Sequence, residues 1–268
     1  MKPALVTAAI AGALAWCVAT PVPLAAQQAA NGETTSSVPR MPDGHPDLSG
    51  VWWGGADVGG RGFGGGRGRG GRGGPPPVTF PSLYNAEAKE HAKTLSDKDD
   101  PTLNCTPTAF GTMNVSMWDV GAVGQIVQTP KFVIMLTETY HGWQIIPFDG
   151  RGHRDTVPPS NRGDAIGRWD GDTFVVDKTN FNDQTWMSAE GRVSFHSDQL
   201  HVVERYRMLD KDTLRIEATV EDPKVLTKPW VVPTQTLKRA PFDQIMPLDC
   251  NSQDVKELID AADAQKKK

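Results

Sequence analysis

Two apolar stretches of the chain each contain a pair of side chains of the kind that general acid–base catalysis uses. Glu138 is followed three residues later by His141, and Glu204 is followed two residues later by Tyr206. The spacing predicts Glu204 or Glu138 as base and His141 or Tyr206 as acid. The alternative is a structural glutamate held by an interior Arg or Tyr, because a carboxylate on an apolar face must be paired or hydrogen-bonded.

Period-two alternation predicts which residues share a strand face with the two glutamates. For the stretch 132–140 the predicted inner face consists of Phe132, Ile134, Leu136, Glu138 and Tyr140. For the stretch 200–208 it consists of Leu200, Val202, Glu204, Tyr206 and Met208. Each predicted face is apolar apart from its glutamate and tyrosine.

Aromatic side chains suggest a second kind of chemistry, the binding of an aromatic or sugar-like molecule by stacking. Seven tryptophans follow residue 26: Trp52, Trp53, Trp118, Trp143, Trp169, Trp186 and Trp230. The candidate ligand-binding residues are Trp143, Tyr140, Trp169 and Arg205. The alternative is that the tryptophans fill the core and close the ends of the fold.

Other site types have no support in the sequence. Glu138 and His141 do not form the HExxH motif, and positions i and i+3 of a strand face opposite ways, so no metal site is predicted. The motifs of serine nucleophiles, nucleotide phosphate loops and covalent haem do not occur, and no cofactor is expected. Asp149, Arg151 and His153 are predicted to form a separate turn group at the opposite rim from His141.

The elements that must position these residues are mostly strands. Asp170-Gly171, between "AIGRW" and "DTFVV", predicts a hairpin with a two-residue type I′ turn, and "LHVVERYRM" and "TLRIEATVED" form a second hairpin. In the latter strand Leu214, Ile216, Ala218 and Val220 are expected to share a face. A short helix capped by Asn85 precedes the strands and a C-terminal helix follows them.

Six or seven sequential strands with few helices predict an all-β fold with minor α content. We expect an antiparallel meander that closes into a lipocalin-like barrel or half-barrel, because closure removes exposed strand edges. A β-sandwich is the alternative.

The N-terminal part of the chain predicts export. Residues 1–26 have a charged start, an apolar middle and small residues at the end, as in a signal peptide; an uncleaved anchor and lipidation at Cys17 are alternatives. We therefore expect a periplasmic or secreted protein with no transmembrane span after cleavage. Residues 27–41 are expected to be disordered, and residues 42–268 to form a single domain.

A tract at 54–77 interrupts this domain with thirteen glycines and four arginines, which predicts a flexible loop. It could support loose association with acidic cell-surface material. RNA binding is disfavoured behind a signal peptide, and the whole chain carries a net charge of −4, so no nucleic-acid partner is expected.

Two cysteines, Cys105 and Cys250, follow the signal segment. In an oxidising compartment a lone pair of cysteines predicts a disulfide, and two free thiols are the alternative.

Several runs of residues resemble an uncharacterised family of secreted bacterial proteins. The runs are "PDLSGVW" (46–52), "QIVQTPKFVIMLTE" (125–138), "IIPFDGRGH" (145–153), "GRWDGDTFVVDKTNFND" (167–183), "VVERY" (202–206), "TVEDP" (219–223) and "KPW" (228–230). The chain departs from the family pattern at Gln144, at Gly152 and after Cys250, where it reads "CNSQD". The resemblance implies export and a barrel, and it implies no particular reaction.

Three functions follow as hypotheses. The first is an exported lipocalin-like protein that binds a small apolar or aromatic molecule in the barrel interior. The second is a lyase, isomerase or hydrolase that uses the Glu, His and Tyr side chains in the same cavity. The third is a structural role at the cell surface that uses the Arg/Gly tract.

Overall fold

The fold is built from strands whose side chains alternate between an apolar interior and the surface. A computed structural model of the chain describes residues 37–54, 78–109, 123–138, 142–187, 193–246 and 250–251. The predicted signal peptide, most of the Gly/Arg tract, Tyr140, His141 and the predicted C-terminal helix lie outside the described residues.

Nine strands and one α-helix make up the regular structure of the described residues. The strands are β1 (Gly50–Trp53), β2 (Val123–Gln128), β3 (Phe132–Thr137), β4 (Gly142–Pro147), β5 (Asp164–Asp170), β6 (Thr173–Thr179), β7 (His201–Asp210), β8 (Thr213–Glu221) and β9 (Trp230–Arg239). The helix α1 spans Ala86–Ala92, and three short 3₁₀ turns flank it at Pro81–Leu83, Asp97–Asp99 and Pro101–Asn104.

All nine strands belong to one antiparallel sheet in the order β4-β3-β2-β1-β9-β8-β7-β6-β5. Two meanders, β1 to β4 and β5 to β9, are joined where β1 pairs with β9 through Trp52–Arg239 and Trp53–Lys238. The sheet curls into a nearly closed barrel, which confirms the predicted all-β barrel class. Its open seam lies between β4 and β5, which end the strand order and share no backbone ladder in the described part of the chain.

The core fills the inside of this sheet. Trp52, Phe174 and Tyr206 are among its largest fully buried side chains. On β8 the residues Leu214, Ile216, Ala218 and Val220 are all buried, as the alternation predicts. Because large side chains occupy the centre, the described interior is a packed core.

Two local predictions outside the barrel are confirmed. Asn85 caps α1 by accepting a hydrogen bond from the Ala88 amide. Cys105 and Cys250 form a disulfide with their Cα atoms 5.6 Å apart. This bond joins residues 145 positions apart and so ties the segment before β2 to the segment after β9.

The turn between β5 and β6 differs from the prediction. Asp170 pairs with Thr173, so the two central residues are Gly171 and Asp172, and only Gly171 has a positive φ, of 58°. A positive φ at the first central residue alone is the pattern of a type II′ turn. The predicted type I′ turn at Asp170-Gly171 is therefore wrong in both position and type.

The predicted inner face of β3 is also wrong. Val133, Met135 and Thr137 are the buried residues of this strand, whereas its other three residues are only partly buried. Five consecutive apolar residues, 132–136, give no alternation with which to assign a face. The prediction therefore rested on Glu138, which lies beyond the strand end.

Candidate functional site

A groove of about 720 Å³ follows the open seam between β4 and β5. We call it the seam groove. Its lining residues are Pro107, Phe132, Gly142, Trp143, Gln144, Ile145, Pro147, Arg151, Gly152, Arg154, Ser160, Asn161, Arg162, Gly163, Asp164, Ala165 and Ile166. Ligand sites of small molecules have volumes of roughly 300–1,000 Å³, so the groove has the size of such a site.

The β4 side of the seam groove is apolar and exposed. Alternation along β4 turns Gln144 and Ile146 inward, so Trp143 and Ile145 point outward. Trp143 is 63% exposed and Ile145 is 47% exposed. Exposed apolar side chains grouped at a groove are typical of binding surfaces. Ile166 lines the groove from the facing strand β5.

One end of the groove is polar and contains Arg162, in the loop before β5, next to Gly142 and Gln144. We call it the inner end. A Cβ atom on Gly142 would clash with Arg162 Nη2 and with Thr137 Oγ1, so the guanidinium lies directly against the backbone of β4. Gln144 Nε2 donates to the Arg162 carbonyl across the seam at 3.0 Å. Gly142 is thus required for close approach, and Arg162 is held between the two strands.

The segment 151–154 forms another side of the groove and is attached to β5 through Asp164. The Asp164 carboxylate accepts hydrogen bonds from the Arg154 amide at 3.0 Å and from the Arg154 Nε at 2.7 Å, and faces His153 Nδ1 at 3.1 Å. Burial raises the pKa of Asp164, but these hydrogen bonds outweigh burial and hold the pKa below its usual value. The segment is therefore fixed by a buried carboxylate.

His153 begins a row of alternating imidazole and carboxylate side chains on the outer face of the sheet. Its Nε2 lies 3.1 Å from Asp177 Oδ1, and His201 Nε2 approaches the same oxygen at 3.0 Å. His201 Nδ1 lies 3.3 Å from Glu221 Oε2. Each ring thus lies between two carboxylates. The row attaches the segment before β5 to β6, β7 and β8.

This arrangement corrects the predicted group of Asp149, Arg151 and His153. Arg151 does pair with Asp149, with Nη2 and Oδ2 2.5 Å apart, and the Arg151 guanidinium lowers the pKa of Asp149 to about 2. His153 contacts Asp164 and Asp177 instead. The spacing of the sequence could not show this, because both partners lie on the strands that follow.

Inside the barrel, Glu204 and Tyr206 lie on the inner face of β7, as alternation predicts. Tyr206 donates its hydroxyl to Glu204 Oε2 at 2.8 Å, and Lys178 Nζ lies 2.8 Å from the same oxygen. Burial lowers the pKa of Lys178, whereas Glu204 opposes that shift. Burial raises the pKa of Tyr206 well above its usual value. Lys178 and Glu204 are called the buried ion pair below, and Tyr206 is its third partner.

The sequence analysis did not identify Lys178 as the partner of Glu204. Its signal was present, because Phe174, Val176 and Lys178 follow the same alternation on β6 and all three are buried. Among the described residues, Glu204 Oε1 has no hydrogen-bond partner. Since Glu204 and Tyr206 are fully buried, their predicted acid–base roles stay predictions.

Glu138 is buried, but it has a different environment from Glu204. It follows the end of β3, and its Oε1 accepts a hydrogen bond from the Met246 amide at 2.8 Å. The carboxylate therefore attaches the segment after β9 to the end of β3. Its predicted partner His141 lies outside the described residues, so their pairing stays a prediction.

The candidate ligand-binding residues do not lie together. Trp143 lines the seam groove. Trp169 stacks on His45 with ring centroids 4.6 Å apart, and Arg205 pairs with Asp170 at 2.8 Å; both lie outside the groove lining. Tyr140 falls among the residues that the structure does not describe. Arg162 was missed because nothing in a loop sequence shows that its side chain enters a seam.

A second cavity of about 500 Å³ lies near α1 and includes His91, Trp186, Phe195 and His196 in its lining. His196 Nδ1 lies 2.8 Å from the Ser197 carbonyl and Nε2 lies 2.7 Å from the Thr185 hydroxyl. Burial lowers the pKa of His196. The ring is therefore neutral, with both nitrogens engaged, and it has a structural role.

The described residues contain no group of three or more His, Cys, Asp or Glu side chains that could hold a metal ion. None of the helices in this part of the chain has the length and apolar character needed to cross a bilayer. Comparison of the chain with protein-family models, curated proteins and solved structures finds no match. The class of protein is therefore described by its own fold and site, a nearly closed antiparallel β-barrel with a groove at its seam.

Proposed function

We propose that the protein is an exported, lipocalin-like carrier or receptor that binds a small apolar or aromatic molecule in the seam groove. The observation that carries the proposal is the groove itself, with Trp143 and Ile145 exposed along one side and Ile166 on the other. The packed interior leads us to place the ligand at the seam, although the sequence favoured the centre of the barrel.

Apolar contact would supply the affinity at this site. Burying apolar surface contributes roughly 25 cal/mol for each Å² removed from water, so a ligand that covers Trp143 and Ile145 gains from both. A tryptophan also offers a flat face on which an aromatic ring stacks. Gln144 and Arg162 at the inner end would orient a polar group of the ligand.

The direct test uses N-phenyl-1-naphthylamine, a neutral aromatic probe that fluoresces in apolar surroundings. We expect a saturable fluorescence increase with the wild-type protein and a loss of affinity of about ten-fold, or ~1.4 kcal/mol, with Trp143→Ala or Ile145→Ser. Val231 on β9 is 73% exposed and lies outside the groove lining, so Val231→Ser is a matched control.

Two outcomes would contradict the proposal. One is the absence of saturable binding to the wild-type protein. The other is an equal loss of affinity in Ile145→Ser and Val231→Ser, which would show that the probe binds exposed apolar residues without preference.

Export is part of the proposal and has its own support. The first 26 residues have the pattern of a signal peptide, and the disulfide suits an oxidising compartment. Expression of the full chain in a Gram-negative host should yield a periplasmic protein whose intact mass is that of a chain starting at Gln27. A cytosolic protein that retains Met1 would contradict export. We also propose that the chain belongs to the secreted family that it resembles, because of the sequence runs quoted above.

A further inference from the structure

The charge of the seam groove suggests which kind of small molecule fits it. Among the described residues that line the groove, Arg151, Arg154 and Arg162 are cationic and Asp164 is the one carboxylate. Asp164 pairs with Arg154 at 2.6 Å, and Asp149 just outside the lining pairs with Arg151 at 2.5 Å. The described lining of the groove thus contains more cationic than anionic side chains, whereas the whole chain has a net charge of −4.

One of the three arginines, Arg162, lies at the inner end of the groove. The guanidinium of Arg162 lies against Gly142 and beside Thr137 Oγ1, in a space that exists only because residue 142 has no side chain. Behind it, within the barrel, the carboxylate of Glu204 is already paired with Lys178 at 2.8 Å. Arg162 also acts on Lys178 electrostatically, as a like charge. An anion bound beside Arg162 would therefore not compete with Glu204 for its cation.

The rest of the groove is apolar where a ligand body would lie. Trp143 and Ile145 are exposed on β4, and Ile166 faces them from β5. The site thus combines a cationic inner end with apolar sides. A guanidinium binds a carboxylate through two parallel hydrogen bonds, and such charge-assisted bonds are roughly twice as strong as neutral ones.

We propose that the ligand of the seam groove is an amphipathic carboxylate. Its carboxylate binds the guanidinium of Arg162, and its aromatic or apolar body lies along Trp143, Ile145 and Ile166. This inference rests on the proposed function, since it names the class of ligand for the same groove.

The test compares two probes that share one ring system, 2-naphthoate and the neutral 2-naphthamide, by calorimetry at pH 7. We expect the wild-type protein to bind 2-naphthoate about ten-fold more tightly, or more. Arg162→Gln should bring the two affinities together by weakening 2-naphthoate alone, and Arg162→Lys should keep part of the preference because it keeps the charge. Arg207→Gln makes the same charge change on exposed β7 and should leave both affinities unchanged.

The possible results separate the proposed function, the carboxylate inference and the role of Arg162. Equal wild-type affinities for the two probes would overturn the carboxylate inference and leave the proposed function standing. If neither probe binds, both claims fail. A preference for 2-naphthoate that survives in Arg162→Gln would overturn the role of Arg162. Should Arg162→Gln fail to fold, as shown by its thermal unfolding, the wild-type comparison and the Arg162→Lys variant still decide.

Discussion

At the scale of single residues, the buried ion pair shows how a charge is tolerated inside the barrel. Lys178 and Glu204 are 2% and 0% exposed, and their side chains meet at 2.8 Å with Tyr206 as a third partner. Removing two charges from water costs several kcal/mol per ion, and mutual attraction offsets this only when the geometry is good. The pair therefore adds much less to stability than its Coulomb attraction alone would.

Removal of one partner should be much worse than removal of all three. We expect Lys178→Met to lower the free energy of unfolding by about 3–5 kcal/mol, because it leaves a buried carboxylate without its cation. The triple variant Lys178→Met, Glu204→Leu and Tyr206→Phe should recover most of that loss, since no polar group remains unpaired. Urea unfolding measures both. A triple variant that is less stable than Lys178→Met would contradict this view.

Asp164 gives a prediction for pH. Its pKa is lower in the folded protein than in the unfolded chain, so its stabilising effect is complete above the ordinary carboxyl pKa of about 4 and is lost as the pH falls through the folded pKa. Asp164→Asn should cost about 1–3 kcal/mol at pH 6, as expected for charged hydrogen bonds, and much less near pH 2.

Urea unfolding of both proteins between pH 2 and pH 6 measures this difference. The exposed neighbour Asp155 offers a matched Asp→Asn control for the loss of one negative charge. A cost of Asp164→Asn that stays constant over this range would show that its carboxylate does not contribute through its charge.

At the scale of elements, alternation predicted the inner face of a strand only where the strand contains both apolar and polar residues. On β8 apolar and polar residues alternate, and the predicted inner residue Leu214 is buried; on β7 the burial alternates, and the predicted inner residue Glu204 is buried. On β3 both faces are apolar, so alternation offers no basis for choosing which of them faces inward. The inner face of such a strand is determined by the neighbouring strands with which it pairs. For β3 these are β2 and β4, which set its register.

The contact between β4 and the loop before β5 can be tested by adding one methyl group. In Gly142→Ala the new Cβ would clash with Arg162 Nη2, and because a guanidinium is the flexible end of a long side chain, it should move away from the inner end of the groove. Affinity for 2-naphthoate should fall about ten-fold, or ~1.4 kcal/mol, with a smaller effect on 2-naphthamide.

Gly54→Ala is the matched control, because Gly54 lies outside the groove lining and a Cβ there would have no heavy atom within 4 Å. It should leave both affinities close to the wild-type values. Unchanged 2-naphthoate binding in Gly142→Ala would mean that the position of Arg162 at the inner end does not matter for the ligand.

At the scale of the whole molecule, the seam is the feature that the sequence could not reveal. Closure depends on pairing between β1 and β9, for example Trp52 with Arg239, whose partners are far apart along the chain. That pairing places β4 and β5 at the two free ends of the sheet. Barrel class and disulfide follow from local patterns and cysteine count, whereas the location of the groove follows from this long-range closure.

Hydrogen–deuterium exchange of the wild-type protein, with and without saturating 2-naphthoate, tests the central claim most directly. Binding in the seam groove predicts slower amide exchange concentrated in residues 142–147 and 160–166, which form its two sides. Exchange in β7 and β8 should change little. Protection centred on β7 and β8, with none at the seam while calorimetry shows binding, would contradict the account.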